Sequence, residues 1–365
     1  MKKALISAAA AAALLGAAGV AQAQVTAYGL FDISVGKSVT GDSTGNDVGL
    51  HSGGDGGASE GNSTTRFGIK GSVDVGSGIK ANFNYQAGIT GAGATNGKTT
   101  GTDGDSKDDN LQLFNRQAWG GLSGGFGEFR FGQQDSVPFQ TFIGLDYNGA
   151  SNGVSAAYFA GSEWLQLSRQ SNSLQYISPA MGGLTVQVGY TMDSAANDYK
   201  SATDDNEDKK NVVSAGATYV AGPLTLAAAF QGQSTKDDDK STKDFDETAP
   251  YMGFGAQYDF GAFKLKADYH KVDTRSSINA GVVTTVAGGW SLGAQYSIGN
   301  DKSRVSNTTD DVKTTAYELF VNKEVLKNVY GYAEIGGAKT DADTLWFGDD
   351  SDSATGFAVG MILVF

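Results

Sequence analysis

The stretch from Ile79 to Ile89, IKANFNYQAGI, decides the fold because its apolar and polar side chains alternate. Every second residue is apolar, whereas the intervening positions carry Lys, Asn, Gln or Gly. This period of two is typical of a β-strand with one apolar face and one wet face. The same alternation occurs in LTVQVGYTM (184–192), YMGFGAQYDF (251–260) and WSLGAQYSI (290–298). The sequence therefore predicts an all-β protein.

Short turns and longer polar segments alternate between the predicted strands. Seven short turns lie at 76–78, 123–125, 179–183, 222–223, 261, 288–289 and 322–328. Eight other segments lie at 38–63, 90–109, 135–168, 194–210, 235–249, 273–277, 304–311 and 339–352. Fifteen connections require sixteen strands. Short turns at one end and long loops at the other are typical of a 16-stranded antiparallel transmembrane β-barrel, whose polar second face lines an aqueous lumen.

The last strand supports closure of such a barrel. SATGFAVGMILVF (353–365) alternates and ends on the aromatic Phe365, and we expect it to pair with the strand from Val25 to Gly36. Hydrocarbon offers no hydrogen-bond partners, so the sheet has to close. The alternative is a surface adhesin with a β-sandwich fold, although a sandwich has no reason to sort its loops by length.

The first residues predict export. Residues 1–23 combine Lys2 and Lys3, an apolar stretch and a final Ala-Gln-Ala, which is the layout of a secretory signal peptide cleaved after Ala23. Removing it leaves 25 basic and 40 acidic residues, a net charge of −15. We therefore predict a signal peptide at 1–23 and a barrel at 24–365. An acidic surface argues against nucleic acid as a partner.

Composition and motifs exclude several further classes. The absence of cysteine excludes disulfides and thiolate metal sites, and no stretch after residue 23 is long and apolar enough for a transmembrane helix. Gly121–Gly125 fits G-x-S-x-G but precedes a predicted strand, not the helix of a nucleophile elbow. AGATNGKT (92–99) lacks the first glycine of a P-loop. We expect neither an enzyme nor a cofactor.

Several spaced blocks resemble the general trimeric porins of Gram-negative bacteria, in particular the type found in Neisseria and Burkholderia. The blocks are VTAYGLFDIS (25–34), RFGIKGSVDVGSGIKA (66–81), LFNRQAWGGLSGGFGEFRFGQQ (113–134), RQSNSLQYISP (169–179) and the terminal Phe365. The resemblance implies a homotrimer in the outer membrane, surrounded by lipid and lipopolysaccharide. It also implies that the third extracellular loop (135–168) folds into the pore, with basic residues on the wall facing acidic ones on that loop. Phe365 matches the signal recognised by the barrel assembly machinery.

Strand parity supplies candidates for the pore constriction. The basic wall candidates are Arg66, Lys70, Lys80, Arg116, Arg130 and Arg169. The loop acids are Asp135, Asp146 and Glu163. We prefer Arg66, Arg116, Asp146 and Glu163, and the alternative for each residue is an ordinary rim, wall or loop charge. Opposed charges across a narrow aqueous gap orient polar solutes.

Two departures from the family pattern weaken any inference of anion preference. Gln133 stands where many relatives carry Arg, and Ile362 and Val364 replace polar or basic residues. The long loops are strongly acidic, which raises the local cation concentration and favours cation preference. Their carboxylates would alternatively bind divalent cations that bridge to lipopolysaccharide. We predict a passive channel for small hydrophilic solutes and ions, with a solute-specific channel of the same fold as the alternative.

Overall fold

The computed structural model describes residues 24–39, 48–51, 61–89, 114–149, 152–194, 210–233, 249–302, 312–341 and 353–365. The predicted signal peptide at 1–23 and most of the acidic loop residues lie outside the described residues. Among the described residues, no helix is long and apolar enough to span a membrane.

The described residues form sixteen long strands and three short helices. The strands are β1 (Gln24–Lys37), β2 (Arg66–Gly76), β3 (Ile79–Gly88), β4 (Gln117–Gly124), β5 (Gly127–Asp135), β6 (Arg169–Ile177), β7 (Leu184–Ser194), β8 (Lys210–Ala221), β9 (Leu224–Gln233), β10 (Tyr251–Asp259), β11 (Lys264–Val272), β12 (Arg275–Val286), β13 (Trp290–Asp301), β14 (Val312–Leu326), β15 (Val329–Thr340) and β16 (Ser353–Val364). The helices are α1 (Val137–Phe142), α2 (Ala156–Phe159) and α3 (Glu163–Gln166).

The long strands pair antiparallel with their neighbours, and β16 pairs back with β1, so the sheet is closed. The closing register runs from Leu30 opposite Val364 to Lys37 opposite Phe357. The terminal Phe365 extends it through backbone hydrogen bonds of 2.9 and 3.1 Å with Gly29. The predicted 16-stranded antiparallel barrel is thereby confirmed. The β-sandwich alternative is wrong because one sheet closes on itself.

The two faces of the strands differ as the alternation predicts. Large apolar side chains on one face are exposed, such as Val188 at 45% and Phe254 at 58%. Polar side chains on the other face are buried, including Gln175, Glu318 and Asn279. A barrel with an apolar outer face is the arrangement that lipid requires.

Aromatic side chains gather near the short turns. Phe129 lies 6.0 Å from Phe126 and 4.8 Å from Tyr176 between ring centroids. Phe260 likewise lies 4.6 Å from Tyr258 and 4.9 Å from Phe263. These clusters fit an aromatic girdle, because aromatic residues in transmembrane barrels collect at the boundary between hydrocarbon and water.

Three local details differ from the sequence predictions. The turn predicted at 322–328 is shorter, because β14 continues to Leu326 and leaves only two residues before β15. The predicted segment at 273–277 likewise shrinks to the two residues between β11 and β12. A three-residue strand, Gly49–His51, pairs with Ser34–Gly36 of β1 inside the first long connection. Strand pairing therefore extends beyond the stretches in which apolar and polar residues alternate.

We predict that a lysine is tolerated on one face of β7 and not on the other. Val188→Lys places a charge on the apolar face and should lower the free energy of unfolding by roughly 2–4 kcal/mol, the cost of Lys near the middle of a bilayer. Gln187→Lys, one residue away on the polar face, is the matched control and should cost less than about 1 kcal/mol. Urea unfolding of the protein folded into lipid vesicles measures both. Equal costs would contradict the assignment of the faces.

Candidate functional site

The segment between β5 and β6 carries three short α-helices and a 3-10 helix (Ile143–Leu145), although the sequence predicted a loop there. α1 begins because Ser136 Oγ accepts a hydrogen bond from Phe139 N at 3.1 Å and Pro138 suits the first turn. Ser155 Oγ caps α2 in the same way, accepting from Tyr158 N at 3.2 Å. The two serine caps and Pro138 were visible in the sequence, but each helix is too short to produce a helical period.

This segment packs on the polar face of the strands. α1 contacts β8 and β9, α2 contacts β13 and β14, and α3 contacts β10 and β11. An apolar cluster joins the segment to the wall, with Phe142, Leu145 and Trp164 packed with Ala229 and Tyr251. The segment is therefore fixed to the barrel wall along much of its length.

Glycines on the wall make room for this close packing. A Cβ built on Gly255 of β10 would lie 2.6 Å from Leu145 Cδ1, and one on Gly299 of β13 would overlap the carbonyl oxygen of Ala160. Both distances are shorter than normal contacts, so a larger side chain at either position would displace the segment. Glycines at these positions interrupt the alternation of apolar and polar side chains in the sequence. In the structure they mark where the segment contacts the wall.

Asparagine amides hold the middle of the segment to buried carboxylates. Asn148 Nδ2 donates to Glu318 Oε1 at 2.6 Å and to Glu334 Oε2 at 2.9 Å, and Asn152 Nδ2 donates to Glu318 Oε1 at 3.0 Å. Asn62, from the first long connection, also donates to Glu334 Oε2 at 2.9 Å. We call Asn62, Asn148, Asn152, Glu318 and Glu334 the asparagine clasp. It ties two loops to β14 and β15.

Asp32 of β1 extends this network. Its Oδ2 accepts from the backbone N–H of Asn62 at 2.8 Å and of Ser63 at 2.7 Å, and its Oδ1 accepts from Tyr332 Oη at 2.7 Å. Asp32 and Glu318 are both fully buried. Their charges are thus met by hydrogen-bond donors of the protein rather than by open water.

A second polar cluster joins the segment to β11. Lys266 Nζ lies 4.0 Å from Asp146 Oδ2 and 3.9 Å from Asp268 Oδ2. Asp268 Oδ1 lies 2.7 Å from His270 Nε2, and His270 Nδ1 lies 2.8 Å from Tyr251 Oη. The predicted acid Asp146 is therefore partnered by a wall residue, and its side chain is only 2% exposed.

Tyr147, next to Asp146, covers the same lysine. Its ring centroid lies 5.5 Å from Lys266 Nζ, within the range of a cation–π contact. Burial raises the pKa of the Tyr147 hydroxyl above its usual value, and the carboxylates of Asp259 and Asp268 raise it further. Tyr147 thus contacts Lys266 as a neutral ring.

Three of the predicted basic residues come together around the predicted acid Asp135. Arg66, Arg116 and Arg169 all lie within electrostatic range of its carboxylate, which also accepts a hydrogen bond from Gln117. Arg169 stands opposite Asp135 in the β5–β6 register. Arg116 Nε donates to Gln86 Oε1 at 2.7 Å. We call Arg66, Arg116 and Arg169 the arginine cluster.

Arg66 and the other members of the arginine cluster are only partly buried. Arg66 Nη1 reaches Ser63 Oγ at 3.5 Å, a long contact. With Asp135 the group carries a formal charge of +2. The arginine cluster therefore places three guanidinium groups near the point where the segment leaves β5.

The other predicted basic residues lie apart from the arginine cluster. Lys70 is exposed and its Nζ lies 5.0 Å from the centroid of the Tyr28 ring. Lys80 is also exposed, opposite Asp74 in the β2–β3 register. Arg66 and Lys70 are four residues apart on β2, which corresponds to roughly 13 Å at the usual rise per residue of a strand.

Arg130 is held by two neighbours on the wall. Its Nη2 pairs with Glu128 Oε2 at 2.7 Å, and its guanidinium lies 4.5 Å from the centroid of the Trp119 ring. Phe365 is 56% exposed at its side chain while its backbone pairs with Gly29. The side chain of Glu163 lies outside the described residues, although its backbone begins α3.

Sequence reasoning missed the wall carboxylates and Lys266. Lys266, Asp268 and His270 alternate with Leu265, Ala267 and Tyr269, so parity could have placed them on the polar face. Glu318 and Glu334 also follow from parity. Their pairing with Asn148 spans 170 and 186 residues and carries no local signal.

No group of three or more His, Asp or Glu side chains within the described ranges is arranged to hold a metal ion. The divalent-cation role considered for the acidic loops concerns residues that lie almost wholly outside those ranges. The described residues of the site form a wall of fixed charges and hydrogen-bonding groups.

Several known proteins are similar to this chain in sequence. A sequence model described as Gram-negative porin matches residues 8–344. An outer membrane porin protein of Bordetella pertussis is 30% identical over 286 residues, which cover 74% of this chain and 69% of that protein. Outer membrane porin protein 32 of Delftia acidovorans is 30% identical over 312 residues, covering 82% and 77%.

Solved structures share the barrel. An anion-selective porin from Comamonas acidovorans superposes with a TM-score of 0.69 at 23% identity, over 94% of this chain and all of that one. OmpT of Vibrio cholerae, solved in a trimer form, has a TM-score of 0.63 at 16% identity, over 94% and 99%. At these identities the likeness concerns the fold.

We predict that the asparagine clasp stabilises the protein measurably. Asn148→Ala removes donors to two buried carboxylates and should lower the free energy of unfolding by roughly 1.5–3 kcal/mol, the range for hydrogen bonds to charged groups. Asn322→Ala, a half-buried asparagine four residues from Glu318 on the same strand, is the control and should cost less than about 0.5 kcal/mol. Urea unfolding in detergent micelles measures both. If the two variants unfold alike, Asn148 does not hold the segment.

Proposed function

The chain belongs to the family of Gram-negative porins and is an outer-membrane channel for passive diffusion, and from this premise we propose how its pore is narrowed and which ions it favours. The segment 135–168 lies within the lumen and forms one side of the narrowest part. Its packing against the polar faces of β8–β11, β13 and β14 supports this placement. The strand glycines that would clash with it support it too.

The opposite side of the narrow part is the arginine cluster. Arg66, Arg116 and Arg169 lie on the wall formed by β2 to β6, whereas the segment covers the wall from β8 to β15. Three arginines with Asp135 among them therefore lie on one side, and the carboxylates of Asp146, Glu318 and Glu334 lie on the other. A field across a water-filled gap orders water and polar solutes and disfavours apolar molecules that cannot use it.

We further propose that the narrow part favours anions. The observation that carries this is the difference in exposure between the two signs of charge. The arginines are half-buried, whereas Glu318 and Glu334 beneath the segment, the side chain of Asp146 on the segment and Asp32 of β1 are at most 4% exposed. A permeating ion meets exposed charges at the shortest distance, where the Coulomb energy is largest.

This proposal departs from the cation preference expected from the acidic loops. Nearly all of those acids lie outside the described residues, and they would act in the vestibule. Screening reduces the effect of charges more than about 8 Å away at physiological salt. The residues at the narrow part therefore weigh more in selectivity than loop acids farther from the permeating ion.

We also propose that the protein is a homotrimer, as the family resemblance implies, in contact with outer-membrane lipid and lipopolysaccharide. The exposed apolar face supplies a surface for lipid and for further copies of the chain. The assembly machinery would recognise the terminal strand through Phe365, whose side chain is exposed.

We predict that neutralising the arginine cluster lowers anion preference. Arg66→Gln, Arg116→Gln and Arg169→Gln should each reduce the anion-to-cation permeability ratio by about two- to fivefold, because a unit charge 4 Å from an ion in water contributes about 1 kcal/mol. Asp135→Asn should raise the ratio. Reversal potentials in planar bilayers under a salt gradient measure these shifts.

Lys327→Gln, at an exposed turn between β14 and β15, removes the same charge far from the segment and is the control. It should leave the reversal potential unchanged. Unaltered selectivity in all three arginine variants would refute the assignment of the narrow part.

We predict that the trimer survives in detergent without heating. Unheated samples should migrate on a denaturing gel at about three times the monomer mass, and boiled samples at the monomer position, because closed sheets resist detergent until heated. Chemical crosslinking before boiling provides an independent measurement. Monomers in both would contradict the trimer.

A further inference from the structure

We propose that Lys266 is a specificity-determining residue that neutralises the acid of the narrow part, Asp146. This inference rests on the proposed function, since it requires the segment 135–168 to lie in the lumen. It goes beyond that function in placing control of the segment's charge on the barrel wall. Parity alone predicts Lys266 on the polar face but gives it no partner.

The position of Lys266 favours this role. It stands opposite Gly281 in the β11–β12 register. A Cβ on Gly281 would lie 2.9 Å from Lys266 Cε, so the glycine leaves the space that the lysine side chain occupies. With that space filled by lysine carbons, the ammonium group ends beside Asp146 and Asp268.

The charges around Lys266 do not balance locally. Lys266 is the single cation of a buried trio with Asp146 and Asp268, and the trio carries a formal charge of −1. Tyr147 contributes a ring that holds the ammonium group without cancelling its charge. Removing Lys266 would change the formal charge to −2, whereas removing the charge of Asp146 would change it to zero.

Burial places these groups farther from a permeating ion than the arginine cluster, but it also leaves them poorly screened, so a change in their charge still acts on the pore. The side chains of Lys266 and Asp146 are 3% and 2% exposed, so water and salt screen them little. A charge left uncompensated beneath the segment therefore acts on the narrow part through protein. The two single substitutions should shift selectivity in opposite directions.

The test is a double-substitution cycle on the full mature protein in planar bilayers under a salt gradient. Lys266→Gln should lower the anion-to-cation permeability ratio by about two- to fivefold, and Asp146→Asn should raise it by a similar factor. The double variant should return close to the wild-type ratio. The control is Lys264→Gln, which should not change the ratio. Lys264 lies on the same strand as Lys266, is exposed and pairs with Asp259 of β10.

The cycle distinguishes an effect of charge on selectivity from an effect of a loosened segment on conductance. If Lys266 only held the segment in place, Lys266→Gln and Asp146→Asn would both raise the single-channel conductance, and their selectivity shifts would not oppose each other. That result would overturn the proposal. Lys266→Met keeps the side-chain volume, and if neither Lys266 variant folds, the shift of Asp146→Asn toward anions decides alone.

Measuring Arg116→Gln in the same bilayers distinguishes this inference from the proposed function. A shift in Arg116→Gln without opposed shifts at Lys266 and Asp146 overturns the role of Lys266 and leaves the arginine cluster in place. No shift in any of the three overturns both.

Discussion

Hydrocarbon supplies no hydrogen-bond partners, so a chain that crosses it in strands has to pair every strand edge within itself. The pairing of β1 with β16 meets this requirement, and Phe365 extends it to the last residue. The strands β1 and β16 therefore depend on each other structurally. Without the final strand, β1 and β15 would both present unpaired backbone groups to lipid, which is the most costly place to leave them.

Closure also separates the side chains into two environments, and the site follows from that separation. Apolar residues such as Phe254 suit contact with lipid. The polar face is therefore the one that binds the segment between β5 and β6. Small residues such as Gly255 and Gly299 let the segment approach the wall. Buried carboxylates such as Glu318 then fix it through amide donors. The packed segment and the open wall opposite it are two consequences of one closed sheet.

The sequence predicted the parts of this structure that depend on local pattern. Alternation gave the strands, and the spacing of turns gave their number. A long connection was also predicted at 135–168, where the period of two is interrupted; in the structure β5 ends at Asp135 and β6 begins at Arg169. Its helices escaped prediction because four to six residues complete little more than one turn. Parity identified Arg66, the resemblance block NRQ pointed to Arg116, and Arg169 was a candidate because it opens the strand after the loop. Their convergence on Asp135 depends on the register of β5 and β6.

Long-range register also explains why the charge of the segment could not be read from its own residues. Asp146 was predicted as a constriction acid but without a partner, because Lys266 lies 120 positions later on a strand that the segment meets only after closure. Glu318 and Glu334 were not predicted, for the same reason. A charge acts in the pore only if nothing nearby cancels it. On the proposed role of Lys266, selectivity depends on pairs formed across the sheet, so two related chains with identical loops would differ in ion preference through one residue on the facing wall.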